Sequence, residues 1–431
     1  MDDARRTPAP PKSGAGPFRR DFWRSPLRGP WVASVLSSAL LPLILVCALT
    51  GFLSHAAYEP ELGSNRLIMA PDLFPWRWPT NPAWLYGLNQ GLHIITGLAA
   101  IPILLAKLWA VTPKLFEVPV VRSVAHLLER LSLALLVGGG LFVLATGIIN
   151  IQLWYPFGFS FVLGHYWGAV VFVAALAFHV AIKLGVMRRA FRANGVLRPL
   201  RDDLEHTRPE PELDGLHTSA PGAPASPTLT RRFLLGGVGA GSIGLTLMGL
   251  GQVAGGPFRR LAQLAPRGQS YGDGPNDFQV NKTFRSVRIP HTEVGPDWRL
   301  TLQVGDVRRA ELTRARLLDL EQVSAELPIA CVEGWTTTQT WTGVRISELA
   351  RLAGAASPVE VEARSLQKRG TFRRATLSAG QLEDPRSLLA LRVNGADLSL
   401  DHGFPARLIV PALPGVHCTK WVTALAFKES A

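Results

Sequence analysis

Residues 131–182 read LSLALLVGGGLFVLATGIINIQLWYPFGFSFVLGHYWGAVVFVAALAFHVAI, without a single Asp, Glu, Lys or Arg. An uncharged apolar stretch of about 20 residues spans a bilayer as one helix, so this block holds two, folded at Trp154–Tyr155–Pro156. The same gap in charge recurs in Gly29–Tyr58, Trp78–Ala106 and Phe233–Phe258. Across all 431 residues, 47% are apolar and 18% charged, below the roughly 25% charge of soluble domains. Five membrane spans are expected, at about 31–53, 84–106, 130–150, 164–186 and 233–251, which excludes a soluble or disordered chain. The residues after about Leu261 are numerous enough to bury a core of their own.

A net charge of +13 invites a nucleic-acid reading. Its placement argues otherwise. Lys and Arg number seven in residues 1–30, four in 107–130 and nine in 183–232, against two in 54–83 and none in 151–164. Positive residues on alternate loops are the positive-inside pattern, and no basic stripe interleaved with aromatics points to DNA or RNA. The expected partner is the lipid bilayer of a cell (inner) membrane. Residues 1–30 are then a cytoplasmic tail and 31–190 a four-helix membrane domain. Residues 191–229 form a flexible Pro-rich cytoplasmic linker, in which Pro209–Glu210–Pro211 and Ser219–Pro227 bury no core. Residues 230–255 are a fifth helix, and residues 262–431 lie on the outer face. Trp76, Trp78 and Trp84 suit an interfacial belt. Thr230–Arg231–Arg232–Phe233–Leu234–Leu235 resembles a twin-arginine export signal set inside the chain, and reads equally as an ordinary positive anchor.

The last part changes period. Trp298–Val304, Ala406–Val410 and Trp421–Phe427 read as strands, and Asn394–Gly395 as a type I′ hairpin turn. Arg314–Leu320 and Ile346–Leu352 read as helices. The expected fold class is thus multi-domain: an all-α transmembrane bundle of four helices plus an anchor, followed by a mixed α+β, strand-dominated domain.

Histidine within a span is a functional signal by default. His93 lies in the second span, and His165 and His179 in the fourth. The last two are about 21 Å apart along a helix and within roughly 40° of one face. Neutral imidazole is a strong axial ligand for haem iron. One or two b-type haems are therefore expected. His55 pairs with His165 and His93 with His179 in the two-haem arrangement, with His126 a competing inner ligand. One haem between His93 and a partner on the fourth span is the alternative. Small residues at Gly87, Gly91, Gly97 and Gly138–Gly139–Gly140 permit close approach. Residues 30–190 resemble the membrane cytochrome b subunits, which implies electron exchange with the quinone/quinol pool.

Of three cysteines, Cys47 reads as a small core hydrophobe. Ile329–Ala330–Cys331–Val332–Glu333–Gly334–Trp335, followed by Trp341–Thr342–Gly343–Val344, suits a buried thiolate ligand to a soft metal. These residues resemble the molybdenum-ligating segment of sulfite-oxidase-type molybdopterin enzymes, nearest the branch of the periplasmic methionine sulfoxide reductase. Asp401–Pro411 and Val416–Trp421 resemble the pterin-binding segments of that family. The resemblance, over about 275–428, implies molybdenum on Cys331, a catalytic role for it, and pterin held by His402, Arg407, Thr419 and Lys420. Cys418 neighbours that site, and Asn281 falls where the family has an early cofactor contact. An Arg fork and an ammonium hold a phosphate well, and His402 is expected to donate to the pterin or its phosphate. Glu333 departs from the basic surroundings of sulfite oxidases, and the dimerisation domain of those enzymes is not expected here. A carboxylate at the rim repels sulfite. With Glu333, Trp335 and Trp341 as pocket walls, a neutral S- or N-oxide is the expected substrate.

The expected function is a membrane-bound molybdenum oxidoreductase passing electrons from quinol through haem to an oxidised small substrate. The alternatives are the same cofactors running as a substrate-oxidising dehydrogenase, or an anchored non-catalytic binding module of the same fold. A haem-free ion pathway is disfavoured, because the expected spans contain no Asp or Glu.

Overall fold

The computed structural model describes residues 16–19, 22–58, 78–116, 123–210, 221 and 223–430. Trp76, most of the 1–30 tail and the linker residues 211–220 lie outside the described residues. Five helices are long and apolar enough to cross a membrane: α1 (Pro30–Tyr58), α2 (Leu85–Val111), α3 (Val124–Ile151), α4 (Phe161–Asn194) and α5 (Arg231–Ala254). Each runs past its expected span, because a charge ends an apolar run without ending a helix. α4 continues through Lys183, Arg188 and Arg189 and stops only before Gly195, whose φ of 71° no β-carbon favours.

The chain divides into two compact units. The first takes Met1–Leu45, Gly97–Leu144 and Gly168–Gly244. Its core packs Trp31, Val32, Leu36, Ile103 and Ala110. Glu210, expected on a mobile linker, is instead buried here and accepts hydrogen bonds from the Trp31 and Val32 N–H groups. Those are orphan donors at the start of α1, where a carboxylate also meets the positive end of the helix dipole. Pro209–Glu210 is therefore held by a helix end, a partner that composition does not reveal. Arg231, the first of the arginine pair, is buried as well. It donates to the Arg208 carbonyl at 2.6 Å and pairs with Asp202 at 3.5 Å.

The second unit takes Val46–Thr96, Ala145–Trp167 and Leu245–Ala431. It holds two five-stranded sheets. Its strands are β1 (Arg299–Val304), β2 (Val307–Thr313), β3 (Val323–Ala330), β4 (Thr336–Arg345), β5 (Pro358–Ser365), β6 (Arg374–Ser378), β7 (Leu388–Val393), β8 (Ala396–Asp397), β9 (Arg407–Ile409) and β10 (Val422–Glu429). One sheet has the order β2-β1-β10-β5-β6, with β1 and β10 parallel. The other runs β3-β4-β7-β8, with β9 also paired to β7. Asn394 and Gly395 both have positive φ, 49° and 82°, which is the I′ turn read from the sequence. Leu300, Leu302, Val361, Leu389, Leu408, Leu425 and Phe427 are essentially inaccessible and form the main core. The helix Ile346–Ala353 closes over it through Ile346, Leu349, Ala350 and Ala353.

Candidate functional site

Cys331 lies in the loop that joins β3 to β4. Ala330 pairs with Thr336, which leaves Cys331–Trp335 as the turn. The Cys331 N–H donates to the Trp335 carbonyl at 2.9 Å, and Gly334 N–H donates to the Cys331 carbonyl at 3.0 Å. Gly334 has φ 90°, and a β-carbon there would meet Ile94 Cδ1 at 2.9 Å. The Cys-Val-Glu-Gly-Trp run is thus a turn whose glycine is set by its backbone and by α2 pressing on it.

Beside it stand the residues expected to hold a pterin. Gly415 N–H donates to the Ala330 carbonyl at 2.7 Å, and Leu408 N–H to the Thr419 carbonyl at 2.8 Å. These bonds bring the Cys331 turn, Arg407 on β9 and the His417–Lys420 loop together. Cys331 and Cys418 share one apolar cluster with Trp335, Trp341 and Phe278. Arg407 lies over the Trp341 ring at 5.3 Å and donates to the His402 carbonyl at 3.3 Å. Lys420 Nζ donates to the carbonyls of Lys282 at 2.9 Å and Asp401 at 2.7 Å.

These basic groups are buried beyond what their partners repay. Burial pushes Lys420 well below the ordinary lysine range and Arg407 down to about 10. It holds His402 near 3 and His417 near 4, so both rings are neutral. Among the described residues, neither Arg407 nor Lys420 forms an ion pair, and Arg407 Nε and His402 Nδ1 have no hydrogen-bond partner. Buried cations without a counter-charge are costly. A phosphate-bearing cofactor supplies the missing anion, so the residues fit one.

His402 stacks on Phe278 at 3.7 Å, and its Nε2–H donates to the Asn276 carbonyl at 2.9 Å. The neutral ring therefore presents Nδ1 as an acceptor. It suits a pterin N–H, where donation was expected. The Asn281 amide oxygen accepts from Lys282 N–H at 2.7 Å. Asn276, which the sequence reading passed over, is the asparagine at His402, and its Oδ1 also accepts from Ser399 N–H at 2.8 Å.

The Cys331 thiol is raised well above its ordinary range, first by burial and then by Glu333. Glu333 is itself raised by burial, and its carboxylate accepts from Trp335 Nε1 at 2.9 Å. Among the described residues, no three His, Cys, Asp or Glu converge as a metal site. Cys331 thus stands as a lone protein thiol, and any metal held there would need further ligands from its cofactor. Glu333 and Trp335 line a small surface cleft beside the turn. Trp341 does not. It is wholly buried under Arg407, with Nε1 donating to the Leu327 carbonyl at 3.3 Å. Thr338 and Thr340 before it on β4 are exposed, and the aromatic on the other face packs inside. Arg259, Arg267 and Tyr271 also line the cleft. Their only signal in the sequence was charge in the short connector after the last apolar run.

The helical residues of this unit meet the same turn. His93 and His165 face one another, ring centroids 6.0 Å apart and nearly perpendicular. His93 Nδ1 donates to the Cys47 carbonyl at 2.8 Å, and His165 Nδ1 bonds Thr146 Oγ1 at 2.9 Å. His55 stacks on Tyr166 at 4.0 Å. His179 belongs to the other unit. The Val332 carbonyl accepts from Gln90 on α2 at 3.0 Å and from Asn150 on α3 at 3.4 Å. The Glu333 carbonyl accepts from Gln252 on α5 at 3.2 Å.

The model of the oxidoreductase molybdopterin binding domain family matches residues 286–431. Mitochondrial sulfite oxidase of Homo sapiens is 31% identical over 130 residues, 28% of this chain and 22% of that protein. The NADH nitrate reductase of Volvox carteri is 34% identical over 106 residues, 22% of this chain and 12% of that protein. Among solved structures, the sulfane dehydrogenase SoxCD from Paracoccus pantotrophus aligns with a TM-score of 0.28 and 24% identity. That alignment covers 32% of this chain and 39% of that one. The chain spans less than a quarter of the length of the two enzymes aligned by sequence. Its strand-rich C-terminal part is thus similar to the molybdopterin-binding oxidoreductase domain that these enzymes contain.

Proposed function

We propose that the chain is a membrane-bound molybdenum oxidoreductase in which a b-type haem links the quinone pool to a pterin-bound molybdenum on the outer face. Five apolar helices, with Lys and Arg gathered on alternate loops, support a multi-pass protein whose N-terminus is cytoplasmic. The division into tail, four-helix domain, linker, anchor and outer domain is retained within this proposal. Its linker is tethered at Glu210.

The observation that carries the reading is the contact of α2 and α3 with the Cys331 turn. Gln90, one helical turn from His93, and Asn150, one turn from Thr146, both donate to Val332, the residue next to Cys331. An electron leaving His93 therefore has a packed, hydrogen-bonded route to that turn. His93 and His165 suit a haem between them: each has Nδ1 in a hydrogen bond, and the His93 bond to a carbonyl leaves its Nε2 unprotonated for a metal. This favours the one-haem arrangement, with His55 and His179 outside the ligand set.

Molybdopterin, when bound, supplies a two-electron redox centre. This chain's residues hold and shape it. Cys331 provides the thiolate, and Arg407 and Lys420 hold the phosphate, with Thr419 beside them. His402 accepts from the pterin, and Trp335 fixes the Glu333 carboxyl away from open solvent. The favoured direction is quinol to haem to molybdenum to a small S- or N-oxide. The reverse direction, oxidation of a small substrate, is favoured by the likeness to sulfite oxidases and by the cleft arginines. A soluble quinol analogue added to the full chain in detergent tests the link. It should reduce the haem band of the native protein, and a substrate-oxide should then reoxidise it. A haem band that quinol reduces but no oxide reoxidises, while sulfite reduces it directly, would reverse the direction.

A further inference from the structure

The loop joining β5 to β6 reads Gln367–Lys368–Arg369–Gly370–Thr371–Phe372–Arg373, with three cations and no carboxylate. Gly370 has φ 99°, a backbone conformation that favours glycine, and turns the chain between exposed Arg369 and half-buried Phe372. The Phe372 ring packs edge-on against Tyr58 at 5.5 Å and against His417 at 5.7 Å. Tyr58 is buried and ends α1. The loop is thus pinned to the last residue of an apolar helix long enough to cross a membrane. A second basic segment is bonded to it. Lys282 Nζ donates to Gln367 Oε1 at 3.3 Å, and Lys368 Nζ to Glu293 at 2.9 Å. Between Lys282 and Glu293, the short helix Phe284–Val287 carries Arg285 and is followed by Arg288. Lys282, Arg285, Arg288, Lys368, Arg369 and Arg373 are all exposed, and among the described residues only Lys368 of these has a carboxylate partner.

Exposed cations on a soluble face are ordinary, because water and salt screen them. These differ in where they stand. Like charges gathered on one surface attract anions, and the headgroups of a bilayer begin where an apolar span ends. We propose that this surface rests on anionic phospholipid headgroups of the outer leaflet, which hold the C-terminal domain against the bilayer. The proposal rests on reading α1 as a membrane span whose Tyr58 end lies outside. Basic clusters beside the end of a span bind anionic headgroups electrostatically and lose them as salt rises. A lysine ammonium serves here as well as an arginine fork, since a diffuse charged surface asks for no fixed geometry. The same surface backs on the residues assigned to the pterin. The Lys282 carbonyl accepts from Lys420 Nζ at 2.9 Å, and Phe372 touches His417.

The test places the full chain in lipid nanodiscs of phosphatidylcholine alone and of phosphatidylcholine mixed with phosphatidylglycerol. Amide hydrogen exchange is followed in the segments 282–288 and 367–373. In the phosphatidylglycerol discs at low salt, exchange in both segments should slow about threefold or more, and the difference should vanish at high salt. A variant carrying Lys368→Gln, Arg369→Gln and Arg373→Gln should exchange alike in both discs. A variant carrying Arg369→Lys and Arg373→Lys keeps the charge and should behave as the native protein. Equal exchange of the native chain in the two discs would overturn the proposal. So would lysine variants that lose the protection as fully as the glutamine ones, because charge would then not be its cause. Soluble polyglutamate that protects both segments in phosphatidylcholine discs, where phosphatidylglycerol does not, would make an acidic protein the occupant and overturn the lipid. Chain that stays dispersed without detergent or disc would remove the membrane reading itself, a failure seen before any exchange is measured.

Discussion

At the scale of single residues, the site is a store of buried basic groups. Its pH behaviour follows from them. His402 and His417 are held near 3 and 4, against an ordinary histidine value of about 6.5. Below about pH 6.5 the unfolded chain takes up protons that the folded chain refuses. Their contribution is therefore complete above about 6.5 and is lost as pH falls toward 4. An anion bound beside His402 lowers the cost of protonating it and raises its folded value. Thermal unfolding from pH 7 to 4 should thus fall less steeply in pterin-loaded protein than in pterin-free protein, and equal slopes would contradict the anion site. Arg407→Ala and Lys420→Ala each delete one charged hydrogen-bonding partner. Each should lower pterin retention about 10- to 100-fold, read as released pterin fluorescence per folded chain. Cys331, Arg407 and Lys420 were singled out through the resemblance of their segments to the sulfite-oxidase-type family, since a lone thiol or cation carries little signal by residue type. The acceptor role of His402 was not, since it depends on which nitrogen Asn276 occupies.

At the scale of elements, the decisive features are close approaches. Gly343 lies where the β4–β7 register shifts, and a β-carbon there would meet the Leu389 carbonyl at 2.1 Å. The glycine of Trp341–Thr342–Gly343–Val344 is therefore a strand-pairing requirement. Gly343→Ala should cost about 1–3 kcal/mol or more by overpacking, measured as a lowered unfolding midpoint with pterin lost in parallel. Glu210 acts on α1 in the same structural sense. Glu210→Ala leaves the Trp31 and Val32 donors without their acceptor and should destabilise the first unit by about 0.5–2 kcal/mol. Pterin content should be untouched, because Glu210 and the pterin residues belong to different units. The long helices and the I′ turn were readable from charge gaps and from Asn394–Gly395, whose signals are local. The Glu210 cap and the pairing of β1 with β10 were not, because each joins residues more than a hundred positions apart.

At the scale of the whole molecule, the account joins two redox groups through one packed turn. The sequence reading located histidines by helical periodicity, which is silent on which helices face each other. It therefore left the partner of His93 open between His179 and His165, and the His93 and His165 rings lie 6.0 Å apart on helices that reach the Cys331 turn. On the proposed reading, loss of His93 or His165 should remove the haem and leave the molybdenum of the C-terminal domain in place. The most direct measurement takes the full chain in mild detergent and determines molybdenum and the dithionite-reduced minus oxidised spectrum on one sample, for the native protein, His93→Ala, His165→Ala and His179→Ala. The account predicts equimolar molybdenum in all four, with a b-type band in the native protein and His179→Ala that is absent from the other two. Molybdenum with no haem band in the native protein, or a band that survives both His93→Ala and His165→Ala, would contradict it.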